Sequence, residues 1–128
     1  MNSPLRTAFT LNGKPVGCLP TTGERLSHTL RETLGARDVK VGCNAGDCGA
    51  CTVLVDDAPV CACLMATQQA AGRRVDTLAG LVRDDPMTQR LAESFQNHQA
   101  AQCGICTPGM MVSAIALLRL VPQPSVSQ

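Results

Sequence analysis

The stretch "VGCNAGDCGACTVLV", Val41 to Val55, places Cys43, Cys48 and Cys51 in a loop of glycines, alanines and one aspartate. Three thiols this close together, with so little bulk around them, restrict what the chain can fold around. A backbone that wraps a compact group must turn sharply and keep side chains away from it. Gly42, Gly46 and Gly49 allow positive φ and close backbone approach. Their amides can then point at the sulfurs.

The spacing C-x4-C-x2-C is that of plant-type iron–sulfur proteins, in which four thiolates hold a [2Fe–2S] cluster. The fourth thiolate is sought in the returning strand. "CTVLV" reads as a short apolar strand, Asp56 to Pro59 as a turn, and "VCACLMA" as the return. Folding back about Asp57 sets Cys63 opposite Cys51, whereas Cys61 needs a turn centred one residue earlier. Cys63 is therefore the expected ligand, with Cys61 and Cys18 packing as small apolar residues. A structural zinc site also uses four thiolates, but usually in paired C-x2-C knuckles. The x4 gap and the glycine-lined loop favour iron–sulfur.

The chain of 128 residues suits one ordinary domain or two small ones. It has no Trp or Tyr, and only Phe9 and Phe95 as large rings, so the core rests on Val, Leu, Ala, Met and Cys. A formal net charge of +1 and the lack of stacking rings argue against a nucleic-acid partner. The N-terminus has no apolar run of signal-peptide length. The stretch "GMMVSAIALLRLV" is shorter than the about 20 residues of a membrane span. The default address is the cytoplasm, where eight cysteines read as metal ligands sooner than as disulfides. The periplasm is the alternative if a partner carries an export signal.

The first half reads as strands and turns. "RTAFTL" and "PVGCL" flank Asn12-Gly13, a hairpin signal. "TGERLSHTLRETLG" reads as a helix with Leu26, Leu30 and Leu34 on one face and Gly35 at its end. "RRVDTL" is the expected last strand. The second half reads as helices: Asp85 caps one beginning at Pro86, with Met87, Leu91 and Phe95 as its stripe, and Thr107-Pro108 starts another. The change of character falls near Ala71 to Val82. His28 and His98 share no ligand spacing with the cysteines and read as surface residues. Asp56-Asp57 reads as turn chemistry, Asp84-Asp85 as a cap, and Arg73-Arg74 as a solvated edge.

"QCGICTPGM" adds Cys103 and Cys106, a C-x2-C pair where a helix begins, which is also a ligand pattern. Taken together, "GCNAGDCGACTVLVDDAPVCACL" and "AAQCGICTPGMM" resemble the small iron–sulfur subunit of the xanthine oxidase family of molybdenum hydroxylases. The resemblance runs from the Asn12-Gly13 hairpin to the last helix. It implies an α+β chain: a plant-ferredoxin-like β-grasp domain over residues 1–76, then a helical domain of four-helix-bundle type over 77–128. It implies a first cluster on Cys43, Cys48, Cys51 and Cys63, and a second with Cys103 and Cys106 among its ligands. It also implies that Gln102 lies against the pterin of the molybdenum cofactor in a partner.

The sequence departs from the family in lacking a further C-x-C pair after Cys106. The second site is thus half present and the helical domain truncated, so the chain is expected to be a fragment of a longer protein, the alternatives being a split or degenerate gene product or a partner that supplies the rest. The implied function is electron transfer from a molybdopterin-binding subunit or domain to FAD, or to another acceptor such as a cytochrome. The chain itself has no nucleophile triad or phosphate loop, so no bond chemistry is expected on it. The alternatives are a stand-alone [2Fe–2S] ferredoxin and a structural or assembly protein without an active cluster.

Overall fold

Asn12 and Gly13 take positive φ values of 51° and 82°. They close a two-residue turn between β1 (Thr7–Leu11) and β2 (Lys14–Cys18), as their residue types favour. The structure is a computed structural model that describes residues 6–128, so the first five residues of the expected 1–76 unit lie outside the described residues. A second hairpin joins β3 (Thr52–Val55) to β4 (Ala58–Cys61). Here Asp56 and Asp57 adopt positive φ, a conformation that short polar side chains tolerate. Asp56 also accepts the backbone N–H of Arg74 at 2.9 Å.

β5 (Arg74–Asp76) lies parallel to β1 and antiparallel to β3, giving the order β2-β1-β5-β3-β4. Pro59 removes a donor from β4, which the sheet accepts because β4 is an edge. The expected α+β architecture is present, a ferredoxin-like mixed sheet followed by helices.

All four residues of β3 are buried. Val53 and Val55 face a core with Phe9, Leu11, Leu26, Leu30 and Val75. Leu54 points the other way, to Leu81, Val112 and Ala116. Strand alternation thus assigns one face of β3 to each half of the chain.

Two elements differ from the sequence reading. The first helix starts only at Leu26: α1 (Leu26–His28) runs into a wide turn over Thr29–Thr33, where the Leu34 N–H reaches back to the Thr29 carbonyl. Residues 22 and 23 form a turn, and Glu24 and Arg25 stay out of the helix because they are pinned to the segment after the second hairpin. Leu26 N–H donates to the Met65 carbonyl at 2.7 Å, and Thr67 N–H to the Glu24 carbonyl at 2.8 Å. Periodicity still placed the buried face, since Leu26 and Leu30 are fully buried.

The second difference is α2 (Leu78–Asp84), which falls in the stretch read as a change of character. Its N-cap residue, Thr77, is anchored from far away in sequence, and Asp38 accepts the Ala79 N–H of its first turn at 2.8 Å. Asn12 accepts the Thr77 N–H at 2.8 Å and donates to the Thr77 hydroxyl at 2.9 Å. The hairpin turn therefore also anchors the start of the helical half.

α3 (Pro86–Asn97) is capped by Asp85, which accepts the Met87 N–H at 3.3 Å and the Thr88 hydroxyl at 2.6 Å. Met87, Leu91 and Phe95 are only half-buried. α4 (Thr107–Leu120) lies along β3. Among the described residues, no helix is long and apolar enough to cross a membrane.

Candidate iron–sulfur site

Five backbone N–H groups of the loop after the α1 segment, and the N–H of Cys63 itself, point at the sulfurs of Cys43, Cys48, Cys51 and Cys63. Ala45, Asp47 and Cys48 donate to Cys43 Sγ at 3.3, 3.2 and 3.3 Å. Gly46 donates to Cys63 Sγ at 3.3 Å, and Ala50 to Cys48 Sγ at 3.4 Å. Cys63 donates its own N–H to Cys51 Sγ at 3.3 Å.

Side-chain contacts sort the thiols into two pairs, Cys43 with Cys48 and Cys51 with Cys63. Among the described residues, no three His, Cys, Asp or Glu side chains converge where one ion could sit. Two pairs of thiols lined with N–H donors suit a two-iron cluster held by four cysteines.

The pairs differ in environment. Cys48 is exposed and Cys43 half-buried, whereas Cys51 and Cys63 are buried. Hydrogen bonds from the N–H groups of Cys48, Ala45 and Asp47 lower the Cys43 thiol to about 6. Burial pushes the Cys51 thiol up to about 11. Cys43 is thus poised as thiolate, while Cys51 keeps its proton until a metal displaces it.

The glycines make room for this arrangement. A Cβ on Gly42 would stand 2.8 Å from Cys48 Sγ. Gly46 and Gly49 both have φ of 73°. At Gly46 a Cβ would also overlap Leu64, a largely exposed side chain that could swing away. The backbone conformation is the harder constraint there.

Residues without any motif of their own hold the frame. The Arg25 guanidinium donates to the carbonyls of Asn44 and of Cys63, the latter at 3.2 Å, and so ties the two limbs of the site together. Beside it, Glu24 accepts the Thr29 hydroxyl, which lies 2.7 Å from the Thr67 hydroxyl. An arginine in an amphipathic stretch reads as surface, so this clamp becomes visible only once 25, 44 and 63 are neighbours.

The Thr29 hydroxyl bond holds the Glu24 carboxyl below the ordinary glutamate range. Its stabilisation is complete above the unfolded glutamate pKa and is lost as pH falls through the lowered folded value. Glu24→Gln is expected to cost about 1 kcal/mol at neutral pH. It should also flatten part of the acid limb of a stability–pH curve measured by urea unfolding. An unchanged acid limb would remove Glu24 from this role.

The hairpin register corrects the sequence argument in detail. Thr52 pairs with Cys61, so the turn is centred between Asp56 and Asp57 and Cys51 lies opposite Ala62, not Cys63. The strand ends at Cys61, and Cys63 sits in a short 3-10 turn (Ala62–Leu64) that carries it under the loop. Cys61 packs half-buried against the main core. Cys18 is buried, with its thiol on the Thr7 carbonyl at 3.5 Å.

Cys103 and Cys106 are exposed where α4 begins, with Cys106 just before its first residue. Gln102 is exposed in the preceding loop. His28 is exposed, and His98 lies with Nδ1 2.8 Å from the Ser94 carbonyl. Arg74 is not a bare solvated edge, because it pairs with Asp57 and with Asp76, the latter at 3.2 Å.

Residues 9–79 match the 2Fe-2S iron-sulfur cluster binding domain family, and residues 77–128 match a [2Fe-2S] binding domain family. The nicotinate dehydrogenase small FeS subunit of Eubacterium barkeri is 42% identical over 115 residues, covering 90% of this chain and 73% of the relative. The chain belongs to the iron–sulfur subunits and domains of the molybdenum hydroxylases. Other members show the same build in crystals. Quinoline 2-oxidoreductase from Pseudomonas putida 86 superposes with a TM-score of 0.88 at 38% identity, over 97% of this chain and 76% of that one. Aldehyde oxidoreductase from Desulfovibrio gigas gives 0.84 at 35% identity, over 94% of this chain and 13% of that one. Membership in this iron–sulfur family makes the chain a component of an oxidoreductase.

Proposed function

We propose that this chain carries electrons singly between a molybdenum site on a larger molybdopterin-binding partner and an acceptor, either an FAD-binding subunit or domain or a cytochrome. The observation that supports it most is the paired arrangement of Cys43 with Cys48 and Cys51 with Cys63, under six backbone N–H donors. When bound, a [2Fe–2S] cluster supplies a one-electron redox couple.

The chain's own residues do the rest. Cys43, Cys48, Cys51 and Cys63 hold the metal. The N–H groups of Ala45, Gly46, Asp47 and Ala50 stabilise negative charge on the sulfurs, which raises the potential. Cys51 and Cys63 keep the inner end dry, and the exposed Cys48 leaves the outer end open to a partner.

We assign residues 1–76 to this first site and 77–128 to a second, in which Cys103 and Cys106 are ligands. Gln102, exposed beside that pair, is assigned to the pterin of the partner. The reducing setting that these free thiols need favours the cytoplasm.

The test is iron and acid-labile sulfide per chain on anaerobically purified protein, with EPR after dithionite reduction. A rhombic [2Fe–2S] signal with matching sulfide is expected. Zinc in place of iron would sink the reading.

A further inference from the structure

α4 begins at the Cys103–Cys106 pair and is seated on the loop of the other site. Gly109 is buried, and a Cβ there would overlap the Gly49 carbonyl oxygen and stand 3.0 Å from Ala50 Cα. The obstacle is backbone on both sides, unlike the swinging Leu64 at Gly46. The Gly49 carbonyl is itself held in place, accepting the Thr52 N–H at 3.1 Å and the Thr52 hydroxyl at 2.7 Å. The next residue, Ala50, donates to Cys48 Sγ.

The rest of α4 fixes this approach. Val112 and Ala116 pack on Leu54. Near the far end of the helix, Arg119 meets Asp57 at 3.5 Å and Asp85 at 3.4 Å. The helix is therefore registered along β3 from its first turn to its last.

We propose that Gly109 is a positioning residue for the first cluster site. By letting α4 rest directly on the Gly49–Ala50 peptide, it keeps the Ala50 N–H aimed at Cys48 Sγ. The helix that starts at one cysteine site thereby sets the sulfur hydrogen bonding of the other. This inference rests on the [2Fe–2S] reading of Cys43, Cys48, Cys51 and Cys63.

Helix propensity alone favours alanine at position 109, so any loss on Gly109→Ala reports the contact. The experiment compares the full chain, purified anaerobically with its cluster, as wild type, Gly109→Ala and, as a packing control outside α4, Leu81→Ala. The readouts are the EPR g-values and the midpoint potential of the first cluster, together with thermal stability. Gly109→Ala is expected to shift the g-values and lower the potential, because a weakened N–H to sulfur bond no longer stabilises the added electron. Leu81→Ala, a truncation in α2, is expected to lose stability and leave the signal unmoved.

An unchanged signal in Gly109→Ala, or equal shifts in both variants, would overturn the proposal. Should Gly109→Ala not fold, Thr52→Val frees the Gly49 carbonyl from within the loop. The same downward shift is then expected, and an unmoved potential overturns the idea. A wild-type chain with no [2Fe–2S] signal would instead be a failure of the cluster reading itself.

Discussion

Cys63→Ala is expected to strip the first site of iron, with loss of its visible bands and EPR signal, whereas Cys61→Ala keeps both. The two residues stand two apart, and the strand pattern alone leaves them close competitors. The structure separates them by what their atoms meet. Cys63 Sγ takes the Gly46 N–H, and its own N–H reaches Cys51 Sγ. Cys61 is spent in the sheet opposite Thr52, with its side chain against the main core.

Losing a ligand also removes binding energy that stabilises the fold. Cys63→Ala should therefore melt well below wild type, and Cys61→Ala close to it. Iron analysis with sulfide on both variants decides the matter. Full iron in Cys63→Ala with loss in Cys61→Ala would reverse the assignment.

Leu54→Ala is expected to cost about 3 kcal/mol in urea unfolding, within the range for a buried leucine that leaves a cavity. Leu54 is fully buried on the face of β3 turned away from the main core. Its neighbours there are Leu81 of α2 and Val112 and Ala116 of α4. One side chain thus joins the sheet to two helices. Its truncation loosens the seam rather than the ferredoxin-like core, where Val53 and Val55 remain in place. A loss under about 1 kcal/mol would mean that the two halves do not share this core.

The cysteine loop was legible because its chemistry is local: spacing and glycine content lie within one stretch of sequence. Both hairpins were legible for the same reason, Asn12-Gly13 from its residue types and Asp56-Asp57 from the flanking apolar runs. What escaped depends on distant neighbours. The early turns of the first helix are absent because residues 24–26 bond to residues 65–67. α2 escapes the sequence pattern because its start is held by distant side chains, Asn12 on Thr77 and Asp38 on the Ala79 N–H. Arg25 looks like any surface arginine until the loop and the 3-10 turn close around it. The register was misjudged by a single position because a two-residue turn centred between Asp56 and Asp57 does not announce itself in composition.

The two-residue turn at Asp56-Asp57 has a consequence for the order of events during synthesis. It folds Cys51 back toward Cys63 within one hairpin, and Cys43 and Cys48 precede it in the same uninterrupted stretch. Closing so short a loop costs little chain entropy, and hairpins form within about 1–10 μs. The four sulfurs can therefore gather while α4 is still inside the ribosome. Gathering of the sulfurs and closure of the hairpin become one early event, and α4 arrives later to rest on the Gly49–Ala50 peptide.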